Sequence, residues 1–549
     1  VYQTFTFDGF AGGINQRTAP DELADDEFVY SLNLELDRSG YLAARQGVSF
    51  RVATTTPITS LYYFTRSDGT ETVLHTEGLS LYRSSPGSGT RTDITGAVTL
   101  PSGPRISWVT FNDVAIGATG STSGTNPIKV VNTSSNAAAL GGTPPKGLYA
   151  EVFNHRLWLV DAQSPNVVKC SALGNAEDWS TTGKLGTQSF SVGGAEGGVI
   201  TGLKAHRGLL FVFKRSHVYV IEPGSPNTDI LQYQIRPLSV SVGCVSHWTI
   251  QSVLDDLYWL SEIGVVSLSA TQAFGDFRHA VVSDNILDLT SVPKNVDCFA
   301  SVVLPHKSQY WLSVPTSTSG GVPENVWVLD YSRVATSGGS KRPWVLFGQG
   351  AVGRAYAVVR ENNEPRLYIA YPTNSILFQD PSAALDDYPE DNALQVYLIT
   401  KAYTLGSALQ RKEFYRFAVE VSRDSAFELP YLFVKYRFDA RLDRGKHFGA
   451  DFPTAAAPAG AKWDVDLWNV GLFAEAAIGA NDRLFTFQYP FRGRAGRRGR
   501  SVQFAFAADG RPGLSFRKVA VDAALLRSLP SPVAGYVAPP SGSLGNIPF

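Results

Sequence analysis

The sequence predicts an all-β protein: a β-propeller of about six blades, with a seventh allowed, joined to a β-sandwich-like domain built from the C-terminal region and the N-terminal leader. Three observations carry this reading. Short apolar runs separated by tight turns recur from about residue 55 to 385. The hairpins return at a spacing of about 45–55 residues, long but within the range of propeller repeats. Between them nothing shows the 3.6-residue period of an amphipathic helix.

The elements follow in chain order. Residues 1–50 are a leader with an alternating strand at Tyr2–Phe7, a Gly turn, an acidic stretch at Asp21–Glu27 and a second strand. Residues 55–385 carry the propeller. Ile58–Phe64, Thr70–Thr76 and Ser80–Arg83 are strands split by Ser67-Asp-Gly69 and Glu77-Gly78. Arg105–Phe111 and Val114–Ala118 flank Asn112-Asp113, and Arg156–Asp161 and Val167–Ser171 flank Ser164-Pro-Asn166. Leu209–Lys214 with His217–Glu222, Leu257–Ser261 with Val265–Ser269, and Gln309–Val314 with Val326–Tyr331 repeat the pattern. Trp344–Phe347, Ala355–Arg360, Arg366–Tyr371 and Ser375–Gln379 read as one complete four-stranded blade. Runs such as Leu157–Val160 and Leu209–Phe213 are apolar throughout, as strands buried on both faces should be. A pair of β-sandwiches would have the same hairpin content. Blade assignment is ambiguous over residues 84–104 and 120–147.

Residues 394–530 have longer strands and more charge, and read as a sandwich-like platform on which the leader packs. Its expected strands are Leu394–Leu405, Phe414–Val421, Leu432–Ala440, Lys462–Leu467, Arg483–Tyr489, Ser501–Ala507 and Arg517–Ala524. Residues 531–549, rich in Pro, Gly and Ser, read as an extended arm.

Composition narrows the function. Lys and Arg (48) balance Asp and Glu (49), so no global basic field favours generic nucleic-acid adhesion. Cys170, Cys244 and Cys298 are too few and too scattered for a disulfide framework or a zinc site, and read as buried thiols of a reducing compartment. No apolar run is long enough to span a bilayer, so membrane insertion by this chain is not expected. The alternating N-terminus does not read as a signal peptide; the chain is expected to begin after loss of an initiator Met.

One ordered set of short motifs is more specific. The leader contains Phe10-Ala-Gly-Gly-Ile-Asn15, Ala19-Pro-Asp-Glu-Leu23, Ser31-Leu-Asn-Leu-Glu-Leu-Asp37, Gly40-Tyr-Leu42 and Arg45-Gln-Gly47. Further on stand Phe153-Asn-His-Arg-Leu-Trp158, Ser171–Trp179, Ile200-Thr-Gly-Leu203, Leu209–Lys214, Gly243-Cys-Val-Ser246 and Leu260–Val265. In order, over roughly residues 1–380, these resemble the tail nozzle (tail tubular protein B-like) proteins of short-tailed bacteriophages. The resemblance implies a structural virion protein in the tail, assembled in the host cytoplasm as a homohexameric ring below the tail adaptor protein. It implies dsDNA passing through the lumen without sequence-specific contacts. It also implies tail fibres or spikes, and a needle or plug protein, as partners. No recognisable tip domain accompanies the motifs. The alternatives are a propeller that binds a receptor or glycan, with Trp158, Trp179, Trp248 and Trp344 as candidates, and a propeller glycosidase.

Chemistry is sparse. No two histidines have metal-ligand spacing, and no catalytic residue, cofactor or metal is expected. Gly193-Gly-Ala-Glu-Gly-Gly198 lacks the Lys-Ser/Thr of a phosphate loop and reads as a turn. Asp255-Asp256 reads as a hairpin turn rather than as a glycosidase pair, since adjacent carboxylates do not converge across a cleft. The one conspicuous charge cluster holds Arg492, Arg494, Arg497, Arg498 and Arg500. It reads either as a charged edge or loop that resists unwanted pairing, or as a subunit contact whose partners would be Asp21, Glu22, Asp25, Asp26 and Glu27 of the leader.

Overall fold

The computed structural model describes the chain apart from residues 1–2, 184, 224–232, 240, 269–280, 295–297, 317–321, 337–340, 349, 382, 384, 387–391, 407–409, 423–431, 439–483, 491–497, 511–513 and 526–549. The expected strand at Lys462–Leu467 and the arm at 531–549 lie outside the described residues.

Among the described residues, seven small antiparallel sheets follow one another and form the propeller. Their innermost strands are Ile58–Thr65, Ser107–Phe111, Gly147–Phe153, Ile200–His206, Gln251–Val253, Ala300–Leu304 and Ala355–Glu361. Each lies beside the next around the ring, and the last returns to the first. The sequence count of six with a seventh allowed resolves to seven. The second blade completes itself from the ambiguous stretch, with Ile128–Val130 and Ala138–Ala139 as its outer strands.

Turn chemistry explains why these segments fold back. The inner hairpins close on Asn112-Asp113, Asn154-His155, Arg207-Gly208 and Asn362-Asn363, and both residues of each pair have positive φ. That is the twist-matched two-residue turn, and Asn, Asp and Gly tolerate it best. Behind the turns, second strands such as Arg156–Asp161 and Gln309–Val314 are buried at every position. Each Leu or Val so enclosed contributes about 1.5–3 kcal/mol. Neighbouring blades therefore share cores: Trp158, Val168, Leu203 and Val212 form one between the third and fourth.

One sequence expectation is corrected. Residues 344–379 are not a single blade. Trp344–Phe347 is the outermost strand of the sixth blade, paired with Asn325–Asp330. The seventh blade consists of Ala355–Glu361, Glu364–Tyr371, Ser375–Asp380 and, as its outer strand, Gly47–Ala53 from the leader. Four consecutive strands look like one blade in sequence. A ring closed by its own N-terminal strand shifts the phase by one strand.

The rest of the leader joins the C-terminal region in two further sheets. Gln3–Asp8 pairs with Ser515–Leu525, which pairs with Lys412–Ser422 and, beyond it, Leu484–Pro490. Glu27–Leu32 pairs with Asn392–Tyr403, followed by Val502–Gly510 and Leu432–Phe438. Alternation sorts their faces: Phe417, Val419, Val519 and Val521 are buried, while Arg416 beside them is half exposed. The buried faces meet in an aromatic core, with Phe417 and Phe504 ring centroids 4.7 Å apart. This is a sandwich made from both chain ends.

Leader, propeller and sandwich meet at a tight seam. Gly13, at φ +79°, passes so close to the backbone of Pro343 and Trp344 that a Cβ would lie 2.5 Å from the Pro343 Cα. Asn33, at φ +57°, donates its backbone N–H to Leu346 O at 2.9 Å and its Nδ2 to Gln395 O at 2.8 Å. The Gly-Gly-Ile-Asn and Asn-x-x-x-Asp strings of the leader thus supply the joint.

Candidate functional site

All seven inner strands converge on one axial cavity of about 430 Å³. Its polar lining comes from Tyr62, Arg105, Ser107, Trp108, Glu151, Lys204, His247, Trp248, Gln251 and Ser301. These residues stand on or just before inner strands, so the ring brings together side chains up to about 240 positions apart in sequence.

Side chains cross the axis. Arg105, at the entry to the second blade, lays its guanidinium 4.1 Å from the ring centroid of Trp248 and donates to Phe299 O at the entry to the sixth. His247, before the fifth blade, approaches Ser107 Oγ of the second at 3.2 Å and stacks on Tyr149 of the third at 4.5 Å. Lys204 lies 3.5 Å from Glu151, and Gln251 Nε2 donates to Ser301 O at 3.1 Å. Tyr62 and Thr110 hydroxyls meet at 2.7 Å. A DNA major groove alone is about 12 Å wide. The axis of the single propeller, bridged by direct contacts, does not pass a duplex.

The His247–Ser107 contact resembles the start of a catalytic dyad, but its tautomer is wrong for that role. Leu203 N–H, which can only donate, points at His247 Nδ1 at 3.4 Å. Nε2 therefore carries the proton and donates to Ser107 Oγ, leaving no lone pair there to accept a serine proton. Burial, with Lys204 and Arg105 nearby, also pushes the imidazole down to about 3, too weak for a general base near neutrality. Glu151 is shifted upward by burial, opposed by Lys204.

The glycine-rich turn has the opposite polarity to a phosphate cradle. Lys214 is fully buried and its Nζ donates to Gly194 O and Glu196 O, both at 2.8 Å. The loop turns carbonyl oxygens inward onto a cation rather than N–H groups toward an anion. Asp255 lies in a hairpin turn, 3.5 Å from Arg207, while Asp256 accepts from Ser267 Oγ on the neighbouring strand. Among the described residues no cluster of His, Cys, Asp and Glu could hold a metal ion, and no helix is long and apolar enough to cross a membrane. Cys170, Cys244 and Cys298 are buried, and none of them is in a disulfide.

Asp25, Asp26, Glu27 and Arg498 have partners within the chain. Asp25 binds Lys401 Nζ at 2.7 Å, and Lys401 is itself nearly buried beneath Leu23 O. Asp26 binds Lys341, and Glu27 accepts from Asn15 Nδ2 at 3.1 Å and from Ala24 N–H at 3.0 Å. Asp21 and Glu22 are exposed. Arg498, exposed, sits 3.9 Å from Glu413, and Arg500 is exposed beside it. Arg492, Arg494 and Arg497 lie outside the described residues. Of the four candidate tryptophans, Trp158 and Trp344 are fully buried in cores and Trp179 is half-buried against one; only Trp248 lines the cavity. Sequence reading passed over Arg105, Glu151, Lys204 and His247. Their signal was a charged or imidazole group on or beside the first strand of a repeat, visible only once the repeats are placed in phase.

No family model matches this chain, and no curated protein matches it. Solved structures resemble it distantly. The extracellular domain of a hybrid two-component system protein from B. thetaiotaomicron aligns at 12% identity and TM-score 0.39, over 71% of this chain. This chain spans about half of that one's length, 55%. YCF48 from Cyanidioschyzon merolae aligns at 11% identity and TM-score 0.34, over 60% of this chain and 97% of its own. A chain of the mitotic checkpoint complex aligns at 12% identity and TM-score 0.35, over 56% of this chain and 85% of its own.

Proposed function

We propose that this chain is a non-enzymatic structural subunit of the tail nozzle of a short-tailed phage, assembled as a homohexameric ring through which DNA leaves the particle. One observation carries the reading most. A single leader of about fifty residues is woven first into both sheets of the sandwich and then into the last blade, at Gly47–Ala53. One segment is thus laddered into both bodies, a construction suited to bearing load. The motifs that resemble nozzle proteins supply this weave, including Gly13, Asn33 and Arg45.

The surface agrees with a conduit that does not grip its cargo. Arg236 pairs with Glu222 at 3.0 Å, and Arg215, Lys129 and Arg342 pair with Glu262, Glu177 and Asp284. Cations already neutralised within the chain offer little to phosphates, and each phosphate contact would add a salt-sensitive hold. Adaptor, fibre or spike, and needle or plug proteins are the partners this reading entails.

The test is the mass and shape of the purified chain, alone and with the adaptor of the same particle. A ring of six 59.4 kDa subunits with an open centre supports the reading. A chain that stays monomeric with its adaptor present, and is absent from particle tails, refutes it.

A further inference from the structure

We propose that the axial cavity is a binding site for a small organic anion, a carboxylate on a ring-shaped body. The proposal does not rest on the nozzle reading. At about 430 Å³ the cavity is in the size range of small-ligand sites, and every blade contributes to its wall. Among its lining residues two carry fixed positive charge, Arg105 and Lys204, and one a carboxylate, Glu151. Lys204 meets Glu151 only at 3.5 Å, a loose pair that a better-placed carboxylate could share. His247, also in the wall, is held neutral and adds no positive charge, so the excess comes from Arg105 and Lys204 alone.

Trp108 lines the cavity through its ring, while its Nε1 is buried behind the wall. The aromatic residues set the rest of the ligand. Tyr62 and Trp108 stack at 5.9 Å with planes 16° apart, and Trp248 lies across the axis beneath Arg105. Such walls favour a flat or cyclic apolar body over a bare inorganic ion.

Fluorine NMR of the full chain with 4-fluorobenzoate, and with 4-fluorobenzyl alcohol as the neutral match, tests this. The expected result is saturable binding of the carboxylate and binding of the alcohol at least about tenfold weaker. Lys204→Met and, separately, Arg105→Met should each weaken carboxylate binding about tenfold while leaving the alcohol unaffected. If one of the two variants does not fold, the other decides. Absence of saturable binding, equal binding of acid and alcohol, or affinity unchanged in the folded variants overturns the proposal.

Discussion

Arg45 Nε donates to Asn33 Oδ1 at 3.0 Å, and the same oxygen accepts the Gly348 N–H at 3.0 Å. Arg45 is 2% exposed and lies 5.8 Å from the Phe347 ring centroid. Through this pair the leader holds the end of the sixth blade. Through Asn33 Nδ2 it also holds the sandwich strand at Gln395.

Asn33→Ala removes all three side-chain bonds and puts a β-carbon residue less tolerant than Asn at φ +57°. It also strips a partner from a buried guanidinium. The expected loss is about 3 kcal/mol. Asn33→Gly, free of the backbone penalty, should lose less. Denaturant unfolding of both variants measures the difference, and equal losses would contradict the backbone argument.

Gly13→Ala should be costly for a different reason. The added methyl would meet backbone atoms of Pro343 and Trp344, which cannot swing aside as a side chain can, and φ is +79°. A destabilisation of about 2–4 kcal/mol is expected. Gly69, also at positive φ but with nothing within 4 Å, should lose only the conformational part, about 1 kcal/mol, on the same substitution.

The leader strand of the seventh blade is latched by Arg51. Its Nη2 donates to both Glu361 oxygens at 2.9 and 3.0 Å, and the guanidinium sits 3.9 Å from the Phe378 ring centroid. Arg51→Ala leaves Glu361 without its cation and removes the packing over Phe378. Hydrogen exchange at Gly47–Ala53 should accelerate at least about tenfold, while the third-blade core keeps its protection. Uniform acceleration everywhere would instead mean global destabilisation.

His247 makes stability pH-dependent. Its folded value, about 3, lies below the ordinary 6.5, so between these limits the unfolded chain binds the extra proton. Stability is therefore full above about pH 6.5 and falls as pH drops toward 3, with a limiting slope of about 1.4 kcal/mol per pH unit from this residue. His75, buried beside Glu77 and also shifted down, acts in the same direction. His247→Gln should flatten the profile between pH 4 and 6 without abolishing it. An unchanged slope in denaturant titrations at pH 4, 5 and 7 would show that His247 is not the group.

Much of the strand content was legible in sequence because strands and turns are local. Asn112-Asp113 and Asn362-Asn363 declare their hairpins whatever surrounds them, and Leu209–Phe213 declares a strand buried on both faces. Blade phase was not legible. Trp344–Phe347 has the same local character whether it opens one blade or completes another, and only its ladder to Asn325–Asp330 decides. The axial site was less legible still: Arg105 and Trp248 are 143 positions apart, and neither sits in a motif.

By itself, then, the order of residues determined the class, the hairpins and the leader strings that resemble nozzle proteins. Tertiary structure alone decided that there are seven blades, that Gly47–Ala53 closes the ring, and that Arg105 and His247 cross its axis. The physical reason is range. Turn preference and alternation are encoded within a few residues, whereas ring closure and side-chain convergence are set by which distant edges and faces leave the fewest backbone groups and apolar surfaces unpaired.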